Sequence, residues 1–81
     1  MKFQRKPTIV EAFRYKVDPM PQWFRQMIAA GKVFKFILDC KIIQRSRTIT
    51  VPVGDWVVRL PNGDIQTYQD DIFNEIYEVL R

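Results

Sequence analysis

The sequence predicts an α+β domain: a bent antiparallel sheet of about five or six strands, with a partly open barrel as its closed form, packed against one α-helix. Three observations carry that expectation. Thr48–Tyr68 holds alternating apolar runs broken at Gly54-Asp55 and Asn62-Gly63, the residue pairs that turn a chain between strands. Met20, Trp23, Phe24, Met27 and Ile28 recur at helical spacing and form one complete apolar stripe. The 81 residues are 47% apolar and 14% aromatic, enough to pack one core in a single domain spanning 1–81.

Taken in order, Lys2 to Pro7 is a basic lead-in, and Thr8–Val17 alternates loosely as a first strand buried on one side. Asp18-Pro19-Met20-Pro21 opens the helix, with Asp18 as the expected N-cap and proline tolerated where its missing N–H has no partner to lose. Gly31 suits the left-handed position that ends it. Lys32–Ile43 is rich in β-branched and aromatic residues and lacks Gly and Pro, which predicts one long strand with a bulge near Asp39-Cys40.

Gln44-Arg45-Ser46-Arg47 is polar and reads as a hairpin turn. Thr48–Val53 returns from it, and Pro52, which has no N–H to donate, marks a strand at an edge or bulged there. Trp56–Leu60 and Asp64–Tyr68 flank Asn62-Gly63 as a type I′ hairpin, and with Thr48–Val53 they predict a three-strand meander. Asp70 is placed to cap one short turn containing Ile72 and Phe73. Ile76–Leu80 has strand content and is expected to pair with the first strand, covering its edge.

The chain contains no His, so a histidine base and histidine metal ligands are excluded. The single Cys40 cannot form an internal disulfide, and inside a strand-like run it reads as a buried thiol. Three scattered glycines build no phosphate loop. Asp70, Asp71 and Glu75 read as solvated or capping carboxylates before a cation site. No enzyme, cofactor or metal is expected. No stretch approaches the roughly 20 apolar residues of a membrane span, and the first residues lack the apolar region of a signal peptide. A cytoplasmic, reducing setting is therefore the expectation.

Net charge is +4, which favours anionic partners mildly. The candidate binding residues are Arg45 and Arg47 at the hairpin tip, joined by Lys41, Arg59 and Tyr68. Arginine forks grip phosphate through paired donors, and an aromatic ring beside them can stack on a base.

Lys6-Pro7-Thr8-Ile9-Val10-Glu11-Ala12, Trp23-Phe24, Gly54-Asp55-Trp56, Asp71-Ile72-Phe73 and Tyr77-Glu78 together resemble a group of small phage and prophage proteins. The similarity covers most of the chain through short motifs. It implies a phage accessory protein acting in the host cytoplasm and no particular reaction. Where many of that group carry an acidic-Gly turn this chain has Arg45-Ser46-Arg47, so the resemblance implies no shared ligand at that tip. The resulting expectation is a non-enzymatic, homo-oligomeric protein that binds a host protein or an anionic signalling nucleotide and blocks host defence. A small basic nucleic-acid-binding module is the alternative.

Overall fold

The computed structural model describes residues 1–3 and 8–79. Among these residues six strands and two helices follow one another: β1 (Glu11–Arg14), α1 (Gln22–Ala29), β2 (Val33–Lys35), β3 (Asp39–Gln44), β4 (Arg47–Pro52), β5 (Trp56–Arg59), β6 (Ile65–Tyr68) and α2 (Asp70–Ile76). The class is α+β, as expected. The single bent sheet is not what forms: the strands divide into two separate antiparallel sheets, ordered β1-β5-β6 and β2-β3-β4.

β1 is shorter than Thr8–Val17. Lys16 takes φ 61°, and the Val17 and Asp18 amides both donate to the Arg14 carbonyl at 3.1 and 2.9 Å. The Asp18 carboxylate accepts from the Arg14 amide at 2.9 Å, so it closes this turn and does not cap the helix. The helix starts later because a residue before proline is held extended, which keeps Met20 out of helical geometry. Pro21, at φ −70° and ψ 159°, is the N-cap, and Phe24 and Arg25 donate to its carbonyl. Gly31 sits at φ 76° just past the helix, as its position predicts.

The run expected as one strand is two. β2 pairs with β3 in the register Val33↔Ile42, Phe34↔Lys41, Lys35↔Cys40, and Phe36 donates to the Asp39 carbonyl at 2.9 Å to close the turn. Asp39-Cys40 thus opens β3 and is no bulge. The turn itself is made of Phe36, Ile37 and Leu38, whose composition carries no turn signal. The next hairpin falls where expected, with Gln44 opposite Arg47, and β4 is an edge strand ending at Pro52.

Gly54-Asp55 does not join two paired strands. The Tyr15 amide donates to the Asp55 carbonyl at 2.8 Å and the Gly54 amide to the Tyr15 carbonyl at 3.0 Å, so β5 leaves β4 and pairs with β1. The expected meander over Thr48–Tyr68 is therefore split between the sheets. In the β5–β6 hairpin only Gly63 has positive φ, 89°, and Leu60 and Asp64 close the loop. Pro61 fixes a negative φ at the first turn position, which excludes type I′ and favours a type I turn followed by a left-handed glycine.

The main core gathers Phe13, Tyr15, Phe24, Ile42, Val51 and Val57 among its buried members, and Trp23, Met27 and Ile28 of α1 pack against it. β5 is covered on both faces. Val57 faces α1 and the core, while Trp56 on the opposite face lies against α2, its ring stacked on Phe73 at 3.9 Å and 7°. The Trp56 Nε1–H donates to Asp70 at 2.8 Å, and Arg14 Nε donates to the Gly54 carbonyl at 2.6 Å. α2 has two turns, Gln69 is its N-cap, and Asp70 makes no cap bond, because its carboxylate is taken by Trp56.

The outer face of β2-β3-β4 carries no helix and leaves Phe34 and Ile43 half-exposed. The strand expected over Ile76–Leu80 does not form within the described residues. Ile76 ends α2, 77–79 carry no strand, and Leu80 lies outside the described residues, as do most of the basic lead-in and Lys6-Pro7 of the phage-like motif.

Candidate functional site

The two sheets meet along β4 and β6, which lie side by side without a ladder of hydrogen bonds. One polar side chain bridges them. Gln44 Oε1 accepts from the Ile65 amide at 2.6 Å, and Gln44 Nε2 donates to the Ile65 carbonyl at 3.4 Å. A side-chain amide offers one acceptor and two donors, so it can occupy both backbone groups of a strand residue as a neighbouring strand would.

Above this bridge, Arg45 Nη2 donates to Asp64 Oδ1 at 3.0 Å. Asp64 is itself fixed by Asn62, which donates to Oδ2 at 3.2 Å and accepts from the Asp64 amide at 3.0 Å. The Arg45 side chain is 76% exposed, so this pair is open to water and weak. Arg45 also holds φ 57°. Glycine or asparagine is the low-cost residue there, and an L side chain costs roughly 1 kcal/mol.

A groove lies on each side of the Arg45–Asp64 pair. The first, about 380 Å³, follows the seam between the sheets and is lined by Arg45, Arg47 and Ile49 on one wall and Gln66, Thr67 and Tyr68 on the other. The Thr67 hydroxyl is buried in that wall without a hydrogen-bond partner. The second, about 520 Å³, runs to the C-terminal end of α1 and is lined by Trp23, Met27, Lys32, Arg45 and Arg59 among others. The Arg59 guanidinium lies 5.8 Å from the Trp23 ring centroid, within cation–π range. Both volumes fall in the range of small-molecule clefts.

The sequence-derived site thus assembles in part. Arg45, Arg47 and Tyr68 share the seam groove, and Arg45 and Arg59 share the other. Lys41 joins neither: it points from the outer face of β3, where Nζ donates to Thr50 Oγ1 at 3.2 Å. The Tyr68 hydroxyl donates to Gln66 at 2.6 Å and its ring meets Tyr77 edge-on at 6.1 Å. Sequence reasoning missed Gln44, Asp64 and Thr67. Their roles depend on the approach of two sheets, and no local pattern reports that.

Cys40 is fully buried beside Tyr15. Burial pushes its thiol up, opposed by the close Tyr15 hydroxyl, and burial likewise raises Tyr15. The contact between the two is poorly aligned, and the Tyr15 hydroxyl has no hydrogen-bond partner of good geometry. A protonated, enclosed thiol is a poor nucleophile. Asp55 is raised by burial, with Arg14 pulling the other way. Among the described residues no three His, Cys, Asp or Glu side chains gather as metal ligands, and no helix is long and apolar enough to cross a membrane.

No protein-family profile matches the chain, and no curated protein or solved structure matches it. The phage-like motifs have a physical account nonetheless. Gly54, Trp56 and Phe73 belong to the clasp that fastens α2 to β5, with Tyr77 tilted against Phe73 at 5.1 Å.

Proposed function

We propose that this protein is a non-catalytic phage accessory protein that binds and sequesters an anionic host ligand of the signalling-nucleotide class. The observation that supports it is the position of Arg45, shared by two small grooves that each add an aromatic ring and a further arginine. Arg47 and Tyr68 stand on one side, and Arg59 and Trp23 on the other. A phosphate between Arg45 and Arg47 would meet two forked donors, and a base could lie on the nearby ring.

The backbone supports the same reading. Arg45 holds a positive φ that costs a side-chain-bearing residue conformational energy, the kind of strain that accompanies functional positions. The Arg45–Asp64 pair is exposed enough to be exchanged for a ligand phosphate at little cost.

Calorimetric titration with a panel of mono- and dinucleotides tests this. Saturable binding is expected with the native chain and its loss with Arg45→Ala/Arg47→Ala. Absence of binding across the panel, together with no co-purified ligand by native mass spectrometry, would overturn it. A host protein recovered specifically by the native chain and lost with the arginine pair would redirect the site to a protein partner.

Single-stranded nucleic acid is the second reading, favoured by the proximity of Arg47 to Tyr68 in the groove. It requires affinity that falls steeply with salt, because each phosphate contact releases a counterion. Flat salt dependence disposes of it.

A further inference from the structure

Two surface patches away from the grooves are complementary to each other. The first is the β2–β3 tip, where Phe36, Ile37 and Leu38 are 52, 88 and 78% exposed and Val53 and Phe34 extend the apolar area. Val53 is tied to the tip, its amide donating to the Leu38 carbonyl at 3.0 Å. Lys16 and Lys35 stand beside it, Lys16 Nζ reaching the Ile37 carbonyl at 3.4 Å, with half-buried Asp39 at its base. The second is the outer side of α2 and the residues after it. Ile72 and Ile76, one turn apart, and Val79 are exposed there among Asp71, Glu75 and Glu78. One patch is apolar with basic neighbours, and the other is apolar with acidic ones.

A short run of contacts links the two patches. From Leu38 the connection runs through Val53 to Gly54, whose carbonyl accepts from Arg14 at 2.6 Å, and Arg14 lies 3.8 Å from Asp70 at the start of α2. Adjacent patches of opposite character are self-complementary under a twofold axis, because the tip of each copy can meet α2 of the other. The contact then forms twice. Each copy contributes both patches, which brings the buried area toward the roughly 1,000 Å² or more that a stable pair needs.

From this we infer that the chain forms a twofold homodimer in which the Phe36-Ile37-Leu38 tip of each copy packs on the Ile72/Ile76 side of α2 in its partner. The apolar contact supplies affinity, and the lysine and carboxylate neighbours set the orientation. The inference is independent of what the grooves bind.

Sedimentation equilibrium of the full chain tests it. A mass near twice 9.7 kDa at micromolar concentration is expected. Ile37→Asp, at a fully exposed position, should weaken the dimer by about a hundredfold or more while the circular dichroism spectrum stays native. A charge exchange gives the sharper result. Lys16→Glu/Lys35→Glu and Asp71→Lys/Glu75→Lys should each be monomeric alone and should dimerise when mixed, since both contacts are then again between opposite charges. A native chain that stays monomeric, a dimer indifferent to Ile37→Asp, failure of the mixture to pair, or growth into open chains would each overturn the proposal.

Discussion

The side-chain amide of Gln44 holds both backbone groups of Ile65, taking the place of a neighbouring strand where the two sheets meet. Truncation there leaves a part-buried N–H and C=O without partners. Gln44→Ala should cost about 1–3 kcal/mol in urea unfolding, the desolvation cost of groups left unpaired. Gln44→Glu should also destabilise, because a carboxylate cannot donate to the Ile65 carbonyl.

Trp56 and Phe73 form the second clasp, and they should be coupled. Phe73→Ala is expected to cost about 3 kcal/mol, the loss of a buried ring stacked on half-buried Trp56. Trp56→Phe keeps a stacking surface and loses the Nε1 bond to Asp70, for about 1 kcal/mol. A double-mutant cycle between the two rings should return a coupling of about 0.5–1.5 kcal/mol.

Arg45 sets stability against binding. Arg45→Gly relieves the positive φ and removes only an exposed ion pair, so thermal unfolding should show a gain of up to about 1 kcal/mol. The same variant should lose nucleotide affinity by at least about tenfold in calorimetry. A loss of stability would mean that the Asp64 contact matters more than the backbone.

Asp55 gives a pH dependence of definite sign. Its folded carboxyl is raised, chiefly by burial, so the native state binds the proton more tightly than the unfolded chain. Its contribution to stability is complete below the ordinary carboxylate range and is lost as pH rises through the raised folded value. Asp55→Asn should flatten that segment of the stability–pH curve and make the protein more stable at neutral pH. Denaturant titrations at several pH values would check it.

Cys40 and Tyr15 should behave as interior groups. Both are raised by burial, so their contributions are intact at neutral pH and are lost as pH rises through their folded values. A thiol reagent should modify Cys40 only at the rate of unfolding, with urea accelerating the reaction. Rapid labelling of the native chain would show that the core opens locally.

The sequence made some elements plain and hid others for physical reasons. α1 was legible because five apolar residues keep helical spacing up to Gly31, and the hairpin at Arg45-Ser46 because polar residues separate two apolar runs. The Phe36-Ile37-Leu38 turn was hidden because apolar residues make it, and such residues ordinarily mark a strand interior. The division into two sheets was hidden because it is decided by Tyr15, which captures Gly54 and Asp55 from 39 and 40 residues away. Within the site, arginine and tyrosine were recognisable by chemistry, whereas Gln44 and Thr67 acquire their roles only when β4 and β6 come together.

β5 is shielded on both faces, by α1 with the core on one side and by α2 on the other, while among the described residues no helix covers the outside of the β2-β3-β4 sheet. Deuterium uptake should therefore be slowest at the Val57 and Val58 amides and early along β2, an outer strand of three residues. An isolated protomer would loosen from the tip end of β2-β3 first, with the β1-β5-β6 half persisting as the longer-lived unit.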